Sequence, residues 1–260
     1  MGHVHLRVLP GTKRWRDVVA LLDAHAPPAD VVSASARAAE RDMLRASSDP
    51  VYVEAVRLLL AIPLAARSED FAAELRKHGL ELRAAPDLFS LVNAVSQRLD
   101  SIASGASSRS DLGDLAGRAV SRALLQTIGD QLPGLFGPTP EDVRATAKRL
   151  SYSKGIAVLA RSFYGVLVTD TLRYWLDRTL ANQIGPGKAF GSINDRTAFD
   201  DTMSQYTSEA TRIIQEFAGG WYGKQIHEKS SIDTHAATVF GAVSLKKIVS
   251  ELQRKADTDA

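Results

Sequence analysis

One long apolar segment constrains the fold of this 260-residue chain more than any other part of it. Over residues 153–183, apolar side chains recur on every side of a helical axis, until Gly185-Pro186-Gly187 ends the helix. A helix that is apolar all round must be enclosed by other elements of the protein. We therefore expect this segment to be the central, buried helix of the fold.

Start and stop signals divide most of the remaining chain into further helices. Asp49-Pro50 and Thr139-Pro140 each place a capping side chain before a proline, which suits the first helical turn. His78-Gly79 supplies a basic residue and a glycine that can adopt the left-handed conformation of a helix cap. These signals predict a mainly α protein, an irregular multi-helix bundle.

The N-terminus departs from this helical pattern. Residues 4–9 alternate apolar and polar side chains, with Val4, Leu6 and Val8 on one face, which is typical of a β-strand. A strand needs a neighbour for its backbone N–H and C=O groups. Two pairings stay open, one with the short segment at residues 80–83 and one with a sheet edge of another polypeptide.

A serine-rich stretch is the candidate domain boundary. Residues 101–110 contain five serines and one glycine, a composition that favours a flexible connection. We expect an N-terminal helical portion at residues 1–104 and a C-terminal helical portion with an aromatic core at residues 111–260. A single domain is the alternative, since a chain of this length fits either arrangement.

Composition excludes several classes of protein. The chain has no cysteine, which removes disulfides, thiolate nucleophiles and cysteine metal sites. Its 32 basic and 30 acidic residues give no general reason to expect nucleic acid or an anionic membrane as a partner. The N-terminus lacks the apolar run of a signal peptide, and residues 156–168 are shorter than the roughly 20 residues of a membrane helix. We expect a cytoplasmic protein without membrane association.

Polar residues near the C-terminus are the candidate catalytic groups. His227-Glu228 begins like a zinc-protease motif, but Ser231 stands where the second histidine ligand belongs, so we predict neither a metal nor a cofactor. An acid-base cluster of His227, Glu228, Asp233 and His235 would need the turn between them to bring a carboxylate against an imidazole. The favoured interpretation is a set of solvated residues between two helices.

The adjacent Trp221-Tyr222 is a candidate contact for a protein partner. Gly219-Gly220 is expected to end a helix, so that both rings would lie in a turn of the chain. Tryptophan and tyrosine are enriched among the energetically dominant residues of interfaces. Packing of both rings in the core is the favoured alternative.

These patterns favour a non-enzymatic accessory or scaffold subunit of a bacterial cytoplasmic protein complex. The N-terminal strand and Trp221-Tyr222 would contact the partner, which is another protein or a second copy of the chain. The alternative is a hydrolytic or nucleic-acid-processing enzyme with an unrecognised site, working in a multi-gene defence system. Nucleic acid is kept as a further candidate partner.

Overall fold

The computed structural model describes residues 11–105, 110–133 and 137–258, which fold into eleven α-helices. The helices are α1 (Lys13–Asp23), α2 (Pro28–Arg45), α3 (Pro50–Ala65), α4 (Phe71–Lys77), α5 (Leu88–Gly105), α6 (Asp111–Gly129), α7 (Pro140–Leu150), α8 (Ser153–Leu180), α9 (Ile193–Ala210), α10 (Arg212–Lys229) and α11 (Thr234–Thr258). Over these ranges there is no β-strand, and a single bridge pairs Ile184 with Phe190. The prediction of a mainly helical fold is confirmed.

The second strand considered at residues 80–83 does not form. Residues 80–83 are coil, whereas residues 4–9 lie outside the described ranges, so the N-terminal strand stays a prediction. Leu80 is fully buried, and its N–H donates to the carbonyl of Leu75 at 3.2 Å. Gly79 adopts a left-handed φ of 79° and its N–H donates to the carbonyl of Arg76. These two hydrogen bonds cap the C-terminal end of α4, so the segment begins as part of a helix cap and does not form a β-strand.

The helix α8 lies at the centre of the described fold, as its sequence predicts. It spans 28 residues and packs most extensively against α6 and α10, with α7 and α9 beside it. The buried apolar side chains form one continuous core that reaches from Trp15 to Leu252. Enclosure by these neighbours accounts for the apolar composition of α8, although one face of it stays uncovered.

The prediction that a helix ends at Gly219-Gly220 is wrong, and the two glycines lie where α10 packs closely against α8. The helix α10 continues through both glycines to Lys229, so Trp221 and Tyr222 lie in a helix and not in a turn. A Cβ atom on Gly219 would lie 2.7 Å from the carbonyl oxygen of Ser153, the first residue of α8. The glycine therefore serves the approach of two backbones rather than the end of a helix.

The predicted linker is partly helical. The helix α5 continues to Gly105, so residues 101–105 are not a flexible connection, and residues 106–109 lie outside the described ranges. From the N-terminal side, α3 packs against α6, α7, α8 and α11. The division into two portions stays a prediction, which must account for this shared packing.

The helix α8 is also long and apolar enough to cross a membrane. An 18-residue window within Ser153–Asp177 has a mean hydropathy of 1.3, and 56% of that window is buried inside the fold. A core helix of a water-soluble protein has the same length and composition. Cellular location and the lack of membrane association remain predictions.

Candidate functional site

The predicted acid-base residues surround the turn between α10 and α11, and all four side chains are exposed. His227 and Glu228 lie near the end of α10, and His235 lies in the first turn of α11. Asp233 accepts a hydrogen bond from the backbone N–H of Ala236 at 2.7 Å, so this carboxylate caps α11. Over the described ranges, no hydrogen bond or ion pair joins a carboxylate to either imidazole, and no group of three ligands suits a metal.

The structure places Tyr222 in the core. Its side chain is 1% exposed, and its hydroxyl donates to the carbonyl of Leu60 at 3.3 Å. Burial raises the pKa of the Tyr222 hydroxyl. Trp221 is half-buried, with its ring centroid 4.7 Å from that of Phe240. The two rings pack within the fold, while Val4, Leu6 and Val8 lie outside the described ranges.

A groove along one face of α8 is the candidate site that the sequence did not predict. On this helix, half-buried residues recur as adjacent pairs every four residues, among fully buried ones. The pairs are Arg161 with Ser162, Gly165 with Val166, Thr169 with Asp170, and Arg173 with Tyr174. The uncovered face forms the floor of a groove of about 430 Å³, here called the α8 groove.

Two walls border the α8 groove. Arg122 and Gln126 of α6 line one side. The other side belongs to α9, α10 and the residue that joins them, and its lining residues are Ser204, Ser208, Thr211 and Gln215. Hydroxyl groups on the α9–α10 side and the amide of Gln126 on the α6 side line the groove together with apolar surface.

Positive charge exceeds negative charge among the described residues that line the α8 groove. Arg122 forms an ion pair with Asp170 at 3.1 Å across the boundary between α6 and α8. Arg161 and Arg173 line the same groove, and neither has an ion pair within the described ranges. Once the pair with Asp170 is counted, two guanidinium charges remain unbalanced.

Neutral oxygen atoms hold these two guanidinium groups. Arg161 donates to the side-chain oxygen of Gln215 at 2.9 Å and to the carbonyl of Ser208 at 3.4 Å. Arg173 donates to the hydroxyl of Ser204 at 3.0 Å. A guanidinium carries five N–H donors, so both arginines retain donors for an acidic ligand. The arrangement positions two charged groups at the groove before any ligand binds.

A second charged cluster joins α3, α5 and the end of α4 inside the fold. Glu54 accepts hydrogen bonds from Arg57 at 2.7 and 2.8 Å and from Arg98 at 2.8 Å. Burial alone would raise the pKa of Glu54, but the bonds from both arginines outweigh it and lower the pKa. Burial and the neighbouring Arg57 lower the pKa of His78, whose ring nitrogen lies 2.9 Å from that guanidinium. The cluster connects three elements of the scaffold.

Comparison of the chain with protein-family models, with curated proteins and with solved structures finds no match.

Proposed function

We propose that the protein is a non-enzymatic accessory subunit that binds a protein partner in the α8 groove. The observation that carries this proposal is the pair Arg161 and Arg173, which line an open groove without a carboxylate partner among the described residues. An unpaired charge at a surface is free to contribute to binding and to the choice of partner. The bacterial cytoplasmic setting is part of the same proposal.

The contrast with the α10–α11 turn supports a binding role over a catalytic one. His227 and His235 are exposed on different helices, and Asp233 is occupied as a helix cap. A general base needs an oriented partner and a site that holds the substrate against it. No contact in the described part of the chain favours the enzymatic alternative.

Filling the groove tests the proposed function. A Cβ atom on Gly165 would lie 3.8 Å from the Thr211 hydroxyl, which is an ordinary contact, so a Cβ atom fits at this position. Gly165→Leu should extend into the groove and prevent binding of the native partner. Gly220→Leu is the matched control, because Gly220 is an exposed helical glycine on which a Cβ atom would meet nothing within 4 Å.

The measurement is recovery of the partner with each tagged variant from the native host. We expect the unmodified chain and Gly220→Leu to recover the same partner, and Gly165→Leu to lose it while its thermal midpoint matches that of the control. Recovery of the same partner in equal amount by both variants would refute docking in the α8 groove.

A further inference from the structure

The shape and charge of the α8 groove also indicate which kind of partner segment it binds. We infer that the occupant is an acidic α-helix of another protein. This inference rests on the proposed docking function, and it adds the conformation and the charge of the bound segment.

The floor of the groove has the residue spacing of a helix-packing seam. Val158, Ser162, Gly165 and Thr169 follow one another at intervals of four, three and four residues. These intervals are those of the seam along which two helices pack side by side. Three of the four residues are small, and Thr169 already bonds to the Thr207 hydroxyl of α9 at 2.6 Å. A second helix can therefore approach the α8 backbone closely at Ser162 and Gly165.

The wall on the side of α9 and α10 repeats the same spacing. Ser204, Ser208, Thr211 and Gln215 also follow at intervals of four, three and four residues. The groove therefore has mostly small polar residues along its floor on α8 and along the wall that α9, Thr211 and α10 form together. A helix placed there would complete a packed arrangement of the kind found in helical bundles.

The two unpaired arginines set the charge of the bound helix. Arg173 donates to Ser204, and Arg161 donates to Ser208 and Gln215, so the two guanidinium groups lie roughly seven residues apart along this wall, or about 10 Å. A partner helix lying along the groove presents residues i and i+7 on the same face, about 10.5 Å apart. Carboxylates at such positions can each accept charge-assisted hydrogen bonds from one guanidinium.

The distribution of charge favours a protein segment over nucleic acid. A nucleic-acid strand carries closely spaced phosphates and is bound by clustered basic side chains. The α8 groove has two separated guanidinium groups, and the carboxylate of Asp170 lies on its floor. A helix with a few carboxylates can place them at the two arginines and away from Asp170. A nucleic-acid strand would bring phosphate groups close to the Asp170 carboxylate, which would repel them.

The direct test uses a labelled, alanine-based helical peptide with glutamates at positions i and i+7. Fluorescence anisotropy should detect binding that weakens at least about tenfold when both glutamates become glutamine, since each lost charge-assisted bond contributes on the order of 1.5 kcal/mol. Arg161→Gln/Arg173→Gln should weaken binding of the glutamate peptide equally. Lys224→Gln/Lys229→Gln removes two charges elsewhere on the surface and should leave binding unchanged.

Equal binding of the glutamate and glutamine peptides would overturn the inference, and so would tighter binding of a short DNA duplex than of the glutamate peptide. Recovery of the native partner distinguishes docking in the α8 groove from the narrower proposal that the occupant is an acidic helix. Loss of that partner with Gly165→Leu but not with Arg161→Gln/Arg173→Gln would refute the acidic helix and leave the docking function standing. Retention by both variants, each with an unchanged thermal midpoint, would refute both proposals.

Discussion

At the scale of single residues, two adjacent glycines in α10 have different roles. A Cβ atom on Gly219 would lie 2.7 Å from the carbonyl oxygen of Ser153, whereas one on Gly220 would meet nothing within 4 Å. We predict that Gly219→Ala lowers the free energy of unfolding by about 1–3 kcal/mol through overpacking. Gly220→Ala should raise it by up to about 1 kcal/mol, because alanine favours a helix. Urea denaturation measures both effects, and equal changes would contradict the close approach of α8 and α10.

A buried pair of tyrosines gives a prediction about alkaline pH. The hydroxyls of Tyr52 and Tyr164 lie 3.0 Å apart, and Tyr52 donates to the carbonyl of Gly241 at 2.9 Å. Burial raises the pKa of Tyr52, and it raises the pKa of Tyr164 to about 12.

Because the folded protein holds these protons more tightly than the unfolded chain, their contribution to stability is complete below about pH 10, the ordinary pKa of tyrosine. That contribution should fall as the pH rises through 10 towards the folded-state values. Urea denaturation from pH 8 to pH 11 checks this loss. This loss of stability should be smaller in Tyr164→Phe than in the unmodified chain. It should be unchanged in Tyr152→Phe, because Tyr152 is 57% exposed. Identical losses in both variants would show that the buried tyrosine pair does not cause the alkaline loss of stability.

At the scale of helices, the buried carboxylate of Glu54 connects α3 to α5 and to the end of α4. Glu54→Gln leaves Arg57 and Arg98 without their charge partner, so we predict a loss of about 3–5 kcal/mol in the free energy of unfolding. Glu74→Gln, which affects an exposed ion pair with Lys77, should change it far less. Chemical denaturation at pH 7 measures both variants, and similar values would contradict the role of the cluster.

The same cluster makes the stability of the fold depend on pH in the acidic range. The pKa of Glu54 is lowered in the folded protein, so its contribution is present above the ordinary carboxyl range and is lost as the pH falls through the folded value. The pKa of His78 is also lowered in the folded protein, so His78 too makes the fold less stable in acid. This loss begins as the pH falls below about 6.5, the ordinary pKa of histidine. Stability of the unmodified chain should therefore decline below about pH 6.5 through His78 and again below about pH 4.5 through Glu54. Only the second decline should disappear in Glu54→Gln, as urea denaturation between about pH 7 and pH 3 would show.

Local signals allowed several helix ends to be predicted from the sequence. Asp49 accepts hydrogen bonds from the N–H groups of Val51 and Tyr52, as an N-cap before proline should. Gly79 takes the left-handed conformation expected of a C-cap. Both depend on neighbours within a few residues, which is why the sequence contains them.

Features that depend on distant residues were not predicted. The role of Gly219 depends on Ser153, which is far away in the sequence, so the glycine resembled a helix end. The α8 groove depends on where α6, α9 and α10 stop covering α8. The available signal was the recurrence of Ser162, Gly165 and Thr169 on an otherwise apolar helix, but hydropathy does not show which face lacks a neighbour.

At the scale of the whole molecule, the shared core predicts one cooperative unfolding transition. The rings of Trp15 in α1 and Trp175 in α8 have centroids 5.8 Å apart, so α1 packs on the central helix. Variants that retain only Trp15 or only Trp221 report on the two predicted portions separately. We expect urea transitions with the same midpoint by both fluorophores. Separate midpoints would instead support a boundary near residues 101–110.

The central claim is that the α8 groove is the surface that binds the partner. Site-specific photocrosslinking in the native host tests it most directly, with the crosslinker at Val158, which lines the groove and is 46% exposed. Val239 of α11 is 39% exposed and is the control. We predict an adduct at Val158 whose linked peptide is an acidic helical segment, with loss of that adduct in Arg161→Gln/Arg173→Gln. The same adduct from both positions, or none from Val158, would contradict the claim.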